Sequence, residues 1–180
     1  MKLIKLNMEW REYNMEISER QIFFMSRLVD TIHQATSDKE YEKNKYYWNT
    51  IGKNILYSIA PGKGYDTGLI TVSAYHSDES EWTSEHVFSN VKMFNVLLDR
   101  YREDKRVNLD YLKKNVKYIV PLITATYENN LLRGVVKDMS AVDVWNMKHY
   151  KKLNIKLKWN KRVKKINVNV TNAMKELIVH

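Results

Sequence analysis

The chain has 180 residues, 44% of them hydrophobic and 12% aromatic, no cysteine, and a formal net charge of +9. That apolar content is enough to build a core and excludes a wholly disordered chain, while the lack of cysteine excludes disulfides and cysteine-type zinc sites. No apolar run reaches membrane-spanning length and charge enters too early for a secretion signal, so a cytoplasmic protein with no membrane partner is expected.

Ile4, Leu6, Met8 and Trp10 alternate with polar residues and predict an opening strand. From about Met15 to Gln34 the apolar positions Ile17, Phe24, Met25, Leu28, Val29 and Ile32 recur at helical spacing. The polar stretch TSDKEYEKNKYYWNT reads as a loop leading to a short helix near Trp48 to Ile59. Trp10, Trp48 and the pair Tyr46-Tyr47 are assigned to core or lid. APGKGYDTG, Ala60 to Gly68, holds three of the five glycines and one of the two prolines and reads as a turn or mobile loop. Its Gly-Lys-Gly lacks the spacing of a phosphate-binding loop. Ile70, Val72 and Ala74 then alternate as a strand.

Val87, Val91, Phe94, Leu98 and Tyr101 fall at steps of four and three, one stripe of a helix that follows His86. Asn108 suits the cap of a second helix facing Leu109, Leu112, Val116 and Ile119 to the core, and Pro121 ends it. LITATY reads as a short buried strand. Ser140 with Asp143 resembles a capping box, opening a helix that carries Val144, Met147 and Tyr150 towards Leu153. Ile155, Leu157 and Trp159, then Ile166, Val168 and Val170, alternate as the two arms of a basic β-hairpin, and a short helix from Thr171 closes the chain. The expected fold is α+β: a single mixed domain over residues 1–180, with a central helical part and a basic C-terminal hairpin within about 144–170.

The charge is concentrated. Lys148, Lys151, Lys152, Lys156, Lys158, Lys161, Arg162, Lys164 and Lys165 follow one another with no acid between them, and removing those nine leaves 21 basic against 21 acidic residues. Trp145, Tyr150 and Trp159 interleave with them. Lysines that release counterions from phosphates, beside aromatic rings that stack on bases, point to a nucleic-acid partner; with the resemblance described below, DNA is expected over RNA.

Glu85-His86 lies between a predicted strand and a predicted helix. A carboxylate and an imidazole side by side can divide the work of phosphodiester cleavage, one holding a divalent cation and the other taking a proton from water. The same pair also suits a helix start, where a carboxylate meets the positive end of the helix dipole. His76 and His86 with Asp78, Glu79 and Glu81 between them form a second acidic cluster, read as a solvated turn. His33 beside Ile32 is read as structural.

Trp82, Glu85, His86, Glu128, Asn129, Leu131, Leu132, Trp145 and Tyr150, in that order, resemble a group of small phage-type proteins related to HNH endonucleases. The resemblance runs from about Trp82 to Leu157. It implies His86 as general base, Glu85 as a metal ligand, Asn129 or Asn130 in the loop-shaping asparagine role, and His149 as a last ligand. The implied cofactor is a divalent metal, Mg2+ or Mn2+, and Arg133 with the lysines of the basic segment would steady the phosphodiester. The expected function is therefore a metal-dependent, phage-encoded endonuclease acting on DNA. The alternatives are a non-catalytic nucleic-acid-binding protein, a phage-encoded inhibitor of a host nucleic-acid enzyme, and an assembly protein whose charge complements an acidic partner.

Overall fold

The computed structural model describes residues 17–59, 66–126, 128–160 and 170–179. The predicted opening strand at Ile4 to Trp10 and most of the predicted Ala60–Gly68 turn lie outside them, as does the Ile166–Val168 part of the hairpin's second arm.

Helix α1 (Glu19–Ser37) starts from a complete capping box: the Ser18 hydroxyl accepts from the Gln21 N–H while the Gln21 side chain accepts from the Ser18 N–H at 3.0 Å. Met25, Leu28 and Ile32 on its inner face are buried. A tight turn reverses the chain into α2 (Tyr41–Ile59), and a bond from Gln21 Nε2 to the Ile59 carbonyl, 3.1 Å, sets the start of α1 beside the end of α2. The loop expected over the polar stretch is thus helical from Tyr41 onward. Asp38 explains why. Its carboxylate accepts from the Glu40 N–H, the Asn44 amide and the Trp48 indole N–H at 2.8, 2.9 and 2.7 Å, clipping the first two turns together where few apolar contacts do so.

Strand β1 (Asp66–Thr71) ends where alternation would have carried it to Ala74. The Thr71 hydroxyl instead accepts from the Ala74 N–H and opens the short helix α3 (Val72–His76). A 3-10 turn at Glu79–Glu81 precedes β2 (Thr83–His86). Then come α4 (Asn90–Asp104), α5 (Leu109–Ile119), β3 (Leu122–Ala125) and α6 (Glu128–Val136). Asn108 caps α5 as expected, its side chain accepting from the Tyr111 N–H at 2.9 Å.

The helix expected from Ser140 to Leu153 is two: α7 (Ala141–Trp145) and α8 (Lys148–Lys152). Ser140 caps α7 through the Asp143 N–H, and Met147, at φ 58°, breaks the run in the left-handed region. Val144, Met147 and Tyr150 are nonetheless all buried, as their spacing required. Strand β4 (Leu157–Trp159) and α9 (Asn172–Lys175), capped by Thr171, complete the described chain.

The four strands stand in the order β2-β3-β1-β4. β1 and β3 run parallel, β2 is antiparallel to β3, and β4 is antiparallel to β1. The run expected as the first arm of a hairpin, β4, therefore pairs with β1. On its other side Leu157 exchanges hydrogen bonds with the C-terminal segment, donating to the Leu177 carbonyl at 2.9 Å and accepting from the Val179 N–H at 2.8 Å. The class is α+β, with α1, α2, α4 and α5 packed on one another around Leu28, Ile32, Leu56, Phe94, Leu98 and Leu112. Among the described residues, no helix is long and apolar enough to cross a membrane.

Candidate functional site

The Glu-His pair sits inside a strand, not at a helix start. Glu85 is paired with Ile123 and His86 with Leu122 across the β2-β3 ladder, and the Val87 N–H continues it by donating to the Pro121 carbonyl at 3.0 Å. Three residues separate His86 from the first turn of α4, so the helix dipole does not explain the carboxylate.

Successive side chains of a strand leave on opposite faces. The neighbours of the pair follow that rule. The His86 ring lies against Tyr57 of α2, centroids 5.7 Å apart. Glu85 lies instead within electrostatic reach of Arg133 on α6 and of the Tyr150 hydroxyl on α8. Burial pushes the Glu85 carboxyl up to about 7, with the Arg133 guanidinium holding it down in part. Burial pushes His86 below its usual range, so the ring is neutral at neutral pH, and its Nε2 has no hydrogen-bond partner among the described residues.

His149 is buried on α8, where its Nε2–H donates to the Val87 carbonyl at 3.0 Å. A carbonyl only accepts, so the proton is on Nε2 and Nδ1 is the bare nitrogen. The ring packs edge-on against Tyr150 and ties α8 to the β2-α4 junction. Asn130 is exposed on the first turn of α6, and the Asn129 side chain lies outside the described part.

Glu128, the first residue of α6, is 3% exposed. Its carboxylate accepts from the Thr126 N–H and hydroxyl at 3.1 and 2.7 Å and from the Ser73 hydroxyl, and these donors hold it below its usual range against the opposing cost of burial. Glu128 thus fastens the start of α6 to the end of β3 and to α3, a role the sequence signalled only as an acid ahead of two asparagines. Tyr150 is fully buried, its hydroxyl has no partner among the described residues, and burial with the Glu85 and Glu128 charges pushes its pKa well up.

These positions do not fit the divalent metal that the resemblance implied. Glu85 and His86 diverge across the sheet, and the bare nitrogen of His149, Nδ1, is buried and belongs to no cluster of three possible ligands among the described residues. Among the described residues no three His, Asp or Glu side chains converge to hold an ion, the turn from His76 to Glu81 included. What the arrangement offers is a carboxyl that exchanges a proton near neutrality between a guanidinium and a buried phenol.

That carboxyl sets a pH dependence. Below about 4.5 both folded and unfolded chains hold the Glu85 proton. Between 4.5 and about 7 only the unfolded chain releases it, so the folded state loses stability as pH rises, and the penalty is complete above 7. Allowing for partial exposure, the penalty is about 2 to 3 kcal/mol. Urea unfolding should find Glu85→Gln equal to wild type near pH 4 and more stable by that amount at pH 8.

The basic segment is partly visible. Lys148 is bound to Asp143 and Lys151 to Glu176, each at 2.6 Å. Lys152 and Lys156 are exposed, Lys158 lies over the Tyr75 ring at 4.9 Å, and none of the three makes an ion pair among the described residues. Lys161, Arg162, Lys164 and Lys165 lie outside them. Of the aromatic residues thought to stack on bases, Tyr150 is enclosed, Trp145 stacks on Phe88 at 4.9 Å, and Trp159 is half-buried on β4. No family model, no curated protein and no solved structure matches this chain.

Proposed function

We propose that the protein binds nucleic acid through its basic C-terminal segment and does not cleave it at Glu85-His86. The charge distribution carries this reading: all of the net +9 resides in Lys148 to Lys165, and Lys152, Lys156 and Lys158 are held where no acid of the described chain neutralises them. Such a surface gains affinity by releasing counterions from phosphates, whatever the base sequence. The divergence of Glu85 and His86 across a strand supports leaving catalysis out.

Fluorescence anisotropy with a labelled oligonucleotide across a salt series tests the binding. The plot of log K against log salt should be steep, and replacing Lys152, Lys156 and Lys158 together by glutamine should reduce its slope by about 2 to 3. Absence of binding at about 50 mM salt overturns the reading. Incubating a supercoiled plasmid with Mg2+, Mn2+ or EDTA tests the second half. Metal-dependent nicking that disappears in His86→Ala would restore the endonuclease.

A further inference from the structure

The outward face of α2 departs most from what the sequence suggested. Tyr46 and Tyr47, assigned to core or lid, are 85% and 58% exposed, and Tyr57 is 65% exposed. Tyr46, Thr50, Lys53 and Tyr57 recur at steps of four, three and four, so they form one solvent-facing stripe. Tyr47 and Lys43 flank it. The stripe is about 16 Å long at 1.5 Å per residue. Its inner counterpart, Gly52, Leu56 and Ile59, is buried, which fixes the helix rotation and leaves the tyrosines no route to the core.

Two properties of this face select a partner. After Glu42 the helix has no acidic residue as far as Ile59; Lys43 and Lys45 are paired with Glu40 and Glu42, and Lys53 makes no ion pair among the described residues. The exposed arc also carries lysine beside its tyrosines, a residue depleted at protein-protein interfaces. Flat rings at helical intervals among lysines suit bases that are free to stack and phosphates that follow them, and only an unpaired strand offers both at once. At its far end the stripe reaches Tyr57, whose ring lies on His86, so a strand on α2 would run to the edge of the sheet.

We infer that the outer face of α2 is a stacking platform for single-stranded nucleic acid, with Tyr46, Tyr47 and Tyr57 taking bases and Lys53 a phosphate. This extends the nucleic-acid reading to a second surface and gives it a preference for strand state.

Anisotropy with a labelled oligothymidylate and a duplex of equal length, on the full chain, tests it. Each of Tyr46→Ala and Tyr57→Ala should weaken single-strand binding about tenfold and leave duplex binding unchanged, while Tyr46→Phe and Tyr57→Phe, which keep the ring, retain the wild-type affinity. Both positions are exposed, and unchanged circular dichroism will confirm folded variants. Equal single-strand affinity in the alanine variants and wild type overturns the platform and leaves the face to a protein partner. In that case, loss of binding in the Lys152/Lys156/Lys158 variant would still uphold the basic segment. Wild type that binds neither oligonucleotide overturns both.

Discussion

Gly52→Ala should destabilise the protein by about 2 to 4 kcal/mol, although alanine is the better helix former by roughly 1 kcal/mol. Gly52 is buried in the interior of α2 where it crosses α4, and a methyl placed there would run into the Phe94 ring. Phe94 is fully buried and belongs to the central cluster with Met25, Leu56 and Leu98, so the ring has no space to retreat into without displacing others. The conformational freedom of glycine is not at issue, because the position is helical. What matters is the missing side chain, which lets the two helices approach. Phe94→Leu alone should cost about 1 to 2 kcal/mol, and combining it with Gly52→Ala should recover much of the sum, a coupling of about 1 to 3 kcal/mol. Urea denaturation of the four proteins at pH 7 measures it. Strict additivity would mean that the two residues do not share this contact.

His149→Ala should cost a further large amount, about 3 to 4 kcal/mol. The substitution empties a buried volume and leaves the Val87 carbonyl without its donor. Val87 is held from both sides, its N–H by Pro121 and its carbonyl by the imidazole, so the junction between β2 and α4 loses one of its two fastenings. His149→Asn keeps a donor amide and should lose less. The histidine also brings acid sensitivity. Burial depresses its folded pKa, with the Val87 bond opposing in part. As pH falls through the unfolded value of about 6.5, the unfolded chain takes a proton that the folded chain refuses, and stability declines. His86 contributes in the same direction. Glu85 acts in the opposite direction over the same range, so the test is the difference: the asparagine variant should gain stability relative to wild type as pH falls from 7 to 5. An identical slope would remove His149 from the acid response.

Much of the fold was legible because caps and apolar stripes are local. Asn108, Ser140 and Thr171 each accept from the N–H that their position requires, and Phe94 and Leu98 of α4 and Leu112, Val116 and Ile119 of α5 are buried as their spacing demanded. The first half of α2 was not legible, since Tyr41 to Thr50 has few apolar positions and owes its start to Asp38, outside the helix. The site was misread for a related reason. Thr-Ser-Glu-His has little strand propensity, and only pairing with β3 makes it a strand. Once it is one, the period of two separates the carboxylate from the imidazole. Tyr150 was read two ways, on the apolar stripe with Val144 and Met147 and as a ring among the lysines, and the stripe decided its place in the core.

The position of β2 gives the half-buried Glu85 another meaning. Among the described residues β2 is an outer strand of the sheet, only four residues long, with polar side chains throughout. A longer, apolar strand there would invite a second chain to add to the ladder and begin an aggregate. A carboxyl turned inward on such a strand makes that addition costly, because the newcomer would have to seal a charge away from water. The residue that subtracts from folding stability above pH 7 thus also adds to the cost of pairing a further strand on this edge.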